Sequence, residues 1–103
     1  MQLMVRPKGF VEGNILSQVP KVIRLPKDMT ELRLELEPNK KGYRMHVICR
    51  FFSSAAESAA GLRQGQRIHV TGDFDVEQTR TGSDVYGNVV ILSTRYELVE
   101  PSD

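Results

Sequence analysis

An all-β barrel of five strands, with one short helix between the third and fourth, is the fold class that three observations on this 103-residue chain predict. First, Tyr43–Phe52 and Arg67–Val76 alternate apolar and polar residues with the period of two expected of half-buried strands. Second, between them lies an alanine-rich stretch, Ser54 to Gly61, that opens on a Ser-x-x-Glu spacing and closes on glycine, as a capped helix does. Third, Leu32, Leu34 and Leu36 alternate with charged residues before this unit, and Val89–Val99 forms a further run after it.

Taken in order, Leu3 to Leu16 is expected to be the first strand. Its start is irregular because Pro7 lacks a backbone donor and Gly9 and Gly13 loosen the ladder, and Phe10 and Ile15 are its expected interior anchors. Gln18 to Asp28, with Pro20, Pro26 and the basic residues Lys21, Arg24 and Lys27, reads as an extended connection. The leucine run is the second strand, and Pro38-Asn39-Lys40-Lys41-Gly42 is a turn leading to the third. In the third strand Tyr43, Met45, Val47, Cys49 and Phe51 share one face, and Arg44, His46, Ile48, Arg50 and Phe52 the other. The Ser54/Glu57 capping box then starts a helix of roughly two turns. The fourth strand turns Ile68, Val70, Phe74 and Val76 inward and Arg67, His69, Thr71, Asp73 and Asp75 outward, with Gly72 where a barrel strand bends or bulges. Thr79 to Asn88 reads as a polar loop before the last strand. A helix between strands three and four of a five-stranded Greek-key barrel is the OB-fold arrangement.

Composition narrows the function. At 40% apolar residues the chain has room for one domain, residues 1–103, around a single modest core. With 14 basic against 13 acidic residues the formal charge is +1, so any polyanion partner must be met by a local patch. The lone cysteine, Cys49, falls on the apolar strand face and is expected to be a small core hydrophobe. No apolar run suits a signal peptide or a membrane span, and the chain reads as cytoplasmic. His46 and His69 sit on polar strand faces with no third ligand at metal-binding spacing, and no nucleophile, zinc or phosphate-loop motif is present. Asp73, Asp75 and Glu77 form a solvent-facing row that keeps an edge from pairing. The expectation is a non-enzyme without cofactor or metal.

Single-strand binding needs aromatic platforms for bases and cations along the phosphates. Tyr43, Phe52 and Tyr86 are the candidate platforms, and Lys40, Lys41, Arg44, Arg50 and Arg80 the candidate cations. Arg44, Arg50 and Phe52 share parity on the third strand and therefore one face. The competing reading assigns the aromatics to the core and the cations to an ordinary solvated surface.

Gly13-Asn14, the strand containing His46, the helix, and Leu62-Arg63-Gln64-Gly65-Gln66-Arg67-Ile68-His69-Val70-Thr71-Gly72 together resemble the bacterial single-stranded DNA-binding proteins. Those carry a G-N pair, a W-H-x-V strand and an L-R-K-G-x-x-V-x-V-x-G run; the short length and the Glu97-Leu98-Val99-Glu100 ending look closer to the primosomal replication protein N subgroup. The departures are specific. The chain has no tryptophan, Met45 stands where the strand tryptophan is expected, the loop tryptophan falls near Thr79, and the acidic, phenylalanine-ended tail is missing. The resemblance implies a non-catalytic protein that binds single-stranded DNA, with RNA left open, in replication, recombination or repair. It also implies a homo-oligomer, dimer or tetramer, with replication or recombination proteins as further partners. The alternative is an OB-fold adaptor or oligomer scaffold that binds no nucleic acid.

Overall fold

A computed structural model describes residues 6–16, 21–23, 28–38 and 40–99. Within them the chain forms β1 (Lys8–Ile15), β2 (Lys21–Ile23), β3 (Met29–Glu35), β4 (His46–Phe52), α1 (Ser54–Ala59), β5 (Arg67–Thr81) and β6 (Asp84–Leu98). Five of the strands close on themselves: β1 pairs with β5, β5 with β6, β6 with β4, β4 with β3, and β3 returns to β1 through Asn14–Glu35 and Ile15–Leu34. Every pairing in the ring is antiparallel except β4 with β6. A parallel pair needs a long crossover, which α1 and β5 provide. The five-stranded barrel with its helix in the expected place is therefore present.

The seam between β1 and β3 needs a residue without a side chain. A Cβ on Gly13 would run into the Glu35 carbonyl, so this glycine permits closure where the sequence suggested that it loosened the ladder.

Inward side chains follow the strand period. Val11 and Ile15 of β1, Leu32 and Leu34 of β3, Val47, Cys49 and Phe51 of β4, Ile68 and Val70 of β5 and Ile91 of β6 make one core, with Ala55 and Ala59 of α1 and Leu62 packed into it. The Phe51 ring meets Tyr96 edge-on at 5.1 Å between centroids. Cys49 is fully buried as expected, and burial pushes its thiol up to about 12.

The helix is held differently from the way its sequence suggests. Its N-cap is Ser53, at φ 60°, with no side-chain cap bond, so the Ser54/Glu57 capping box does not form. Six residues are too few for a helix to stand alone. Burial of Ala55, Ala56 and Ala59 and a bond from the buried Thr30 hydroxyl to the Ala56 carbonyl, 2.5 Å, tie it to the barrel instead. The chain leaves α1 through Ala60 in right-handed geometry, and the left-handed turn comes later, at Gly65.

Four further expectations are corrected. Phe10 is 65% exposed, because the inward positions of β1 are Val11 and Ile15 and the two apolar neighbours Phe10 and Val11 left the parity ambiguous. The expected connection contains the short strand β2, which pairs with β3 through Lys21–Glu31 to Ile23–Met29. The polar stretch 79–88 is the end of a long hairpin: β5 and β6 stay paired to Thr81–Asp84 around a two-residue turn begun by Gly82 at φ 63°. Val76, on that hairpin, lies beyond the core and is exposed. Leu3 to Val5 of the expected first strand lie outside the described residues.

Gly72 marks the predicted irregularity. Thr71 pairs with Arg95 and Asp73 with Leu92, so β6 carries one residue more than β5 across the bulge. A Cβ on Gly72 would collide with the Leu92 carbonyl oxygen. The buried Ser93 hydroxyl lies 2.5 Å from the Thr71 carbonyl and accepts the Arg95 amide at 2.9 Å, which pins the bulge.

Candidate nucleic-acid interface

The parallel register of β4 and β6 decides which candidates meet. Ile48 stands beside Val90 in parallel register, so the chain that leads into β4 and the hairpin arm that leads to Val90 enter the sheet from the same end. The loop carrying Lys40, Lys41, Tyr43, Arg44 and Met45 and the hairpin carrying Arg80 thus rise from the same end of the barrel. The loop is closed by the Leu36 amide bonding to the Met45 carbonyl at 2.9 Å.

Strand β4 does not present the open cationic face that parity suggested. Arg50 bonds Glu31 of β3 at 2.9 Å on one side. On the other it reaches across β6 to Glu77 of β5, which it grips with two nitrogens at 2.5 and 2.9 Å. The bonds to Glu77 and then Glu31 raise the Arg50 pKa further, and the same contact holds the Glu77 carboxyl below its ordinary value. Arg50 is a brace over four strands. Arg44 is exposed but paired with Glu35 at 2.7 Å, and the same carboxylate lies 3.5 Å from His46. Glu77 therefore serves as a partner of Arg50 as well as a member of the acidic row, and Asp75 pairs with Arg6 at 3.3 Å.

The exposed remainder lies at the loop and hairpin. Tyr43 is 69% and Met45 54% exposed, because β4 begins at His46 and the alternation before it never enters the sheet. Lys40, Lys41 and Arg80 are exposed. Phe52 is half-buried beside the bulge. Tyr86 stands opposite Thr79 in the hairpin, and its side chain lies outside the described residues.

A second surface went unread in the sequence. On the outer side of β1 and β5 the Phe10 ring stacks on His69, 4.9 Å between centroids and 21° between planes. Glu12 accepts from Arg67 and lies 3.4 Å from His69, while Arg67 also bonds Glu37 at 2.8 Å. The bond from Arg67 is the main cause that holds the Glu12 carboxyl low. The inward parity of Val11 and Ile15 was the signal that places Phe10 outside. Among the described residues no cluster of three metal-ligating side chains occurs, and no helix is long and apolar enough to cross a membrane.

Solved structures share this architecture. The small single-stranded DNA-binding protein from Streptomyces coelicolor superposes with a TM-score of 0.81 at 15% identity, over 93% of this chain and 96% of that one. The chain has the fold of the single-stranded DNA-binding proteins. The mitochondrial single-stranded DNA-binding protein Rim1 of S. cerevisiae matches at TM-score 0.75 and 13% identity, over 96% of this chain and all of the other. A Plasmodium falciparum SSB in complex with ssDNA matches at 0.70 and 11%, over 97% and 100%. No protein-family model and no curated protein matches the chain.

Proposed function

We propose that this protein is a non-catalytic single-stranded DNA-binding protein of replication, recombination or repair, working in the cytoplasm as one OB module over residues 1–103. The observation that carries this reading is the gathering of Lys40, Lys41, Tyr43 and Arg80 at one end of a barrel shared with single-stranded DNA-binding proteins, one of which is described in complex with ssDNA. The exposed cations capture phosphates, and Tyr43, Phe52 and Tyr86 stack bases without regard to sequence. Arg44 flanks this patch while held by Glu35, and Arg50 contributes chiefly by fixing the strands beneath it. RNA remains a second ligand of the same chemistry, to be compared directly with DNA.

A homo-oligomer, dimer or tetramer, belongs to this reading. Among the described residues, strand β1 from Lys8 to Gly13 pairs with β5 alone, and a second copy would cover that edge and double the cationic track. Replication or recombination proteins are its expected partners. Titrating a labelled thymidine oligomer with the protein, with single- and double-stranded competitors, tests the function. Single-strand preference with steep salt dependence supports it, and absence of binding at low salt returns the adaptor reading. Sedimentation at micromolar concentration tests assembly: a monomer with and without oligonucleotide removes that part.

A further inference from the structure

Beside the bulge lies a cleft of about 340 Å³ lined by Arg6, Phe52, Thr71, Gly72, Asp73, Leu92, Ser93 and Thr94. One wall is the half-buried ring of Phe52, and the floor is backbone, where Gly72 lets β5 approach Leu92 of β6 with no side chain between them. Arg6 stands at the rim, held by Asp75. Asp73 is the cleft's carboxylate. Among the described residues no hydrogen bond or ion pair occupies it: Arg6 is engaged elsewhere, and Lys8, its neighbour across the strand pair, does not bond to it. The Ser93 hydroxyl is committed to the backbone of the bulge, so Asp73 is the acceptor available to a guest.

We infer that this cleft is a nucleobase subsite that favours guanine and disfavours thymine, an inference that rests on the single-strand binding proposed above. A flat ring fits between an aromatic wall and a backbone floor, and stacking alone accepts any base. The carboxylate makes the difference. It accepts only, so it rewards a Watson–Crick edge that donates. Guanine offers two parallel donors, N1–H and the 2-amino group, to its two oxygens. Cytosine and adenine offer one amino group. Thymine brings a single N3–H between two carbonyl oxygens that the carboxylate repels.

The test compares three labelled oligomers: all thymidine, the same with isolated guanosines, and the same with deoxyinosines, which keep N1–H and lack the 2-amino group. The intact protein is expected to bind the guanosine oligomer about fivefold more tightly than the all-thymidine one, with deoxyinosine between. Asp73→Asn, whose amide donates as well as accepts, should erase the ranking while leaving thymidine binding at least as tight. Phe52→Leu should weaken all three alike. Equal affinity of the parent for the guanosine and thymidine oligomers, or a ranking that survives Asp73→Asn, overturns the subsite while leaving single-strand binding intact. Failure of every oligomer to bind overturns both. The parent's own ranking needs no variant to fold.

Discussion

The outer face of β4 and the loop–hairpin end of the barrel both carry cations beside aromatic residues, yet those cations are held differently. On β4, Arg50 is shared between Glu31 and Glu77, and just before the strand the loop residue Arg44 is taken by Glu35 of β3. At the barrel end, Lys40 and Arg80 are exposed and make no ion pair among the described residues, and Tyr43 stands out of the sheet. Carboxylates on the flanking strands decide the difference. Arginines in a sheet with acidic neighbours opposite become cross-braces. Lys40 on the loop and Arg80 on the hairpin arm, which meet no such carboxylate among the described residues, stay exposed.

The hardest break removes both regions together. Phe51→Ala empties the middle of the core and is expected to cost about 3–5 kcal/mol of unfolding free energy, read by chemical denaturation. Gly72→Val, which drives a side chain into the Leu92 carbonyl, should cost about 2–4 kcal/mol and disturb the hairpin that the bulge directs. An exchange-protection loss confined to the barrel below the bulge would contradict that direction of effect.

Tyr43→Ala should separate the regions. A lost stacking platform is worth about 1–3 kcal/mol in oligonucleotide affinity, with little change in salt slope because no counterions are involved. Unaltered binding would remove the loop from the interface.

The smallest effect belongs to the brace. Arg50→Met should lower stability by about 1 kcal/mol, a modest figure because the pairs are partly exposed. Its pH dependence has a definite sign. Arg50 holds the folded Glu77 carboxyl below its ordinary value of 4.5, so the contribution is present above that pH and is lost as pH falls below it. Thermal melts from neutral pH to pH 3 should therefore converge, parent with variant, at the acid end; a gap that widens in acid would refute the brace.

Much of the barrel was legible because each strand carries its own period. Leu32 and Leu34, Val47 to Phe51, and Ile68 with Val70 announce an inward face locally, and Gly72 announces the bulge. The hairpin was not legible, since Thr79 to Asn88 pair through backbone groups that any polar residue supplies. The site was legible in its residue types and not in its pairings: Glu31, Glu35 and Glu77 lie 19, 9 and 27 positions from the arginines they engage. Only the register brings them together. Phe10 and Asp73 escaped for the same reason, because what makes each notable is a neighbour on another strand.

Cations that contact phosphates release counterions and braces do not, so the decisive measurement is the salt dependence of affinity for a thymidine oligomer in three proteins: the parent, Arg50→Met, and Lys40→Ala with Arg80→Ala. The double variant should flatten the slope of log affinity against log salt by about 1.4, two phosphate contacts at roughly 0.7 each, while Arg50→Met keeps the parent's slope. A slope flattened by Arg50→Met and untouched by the double variant would contradict it, placing the phosphates on β4 after all.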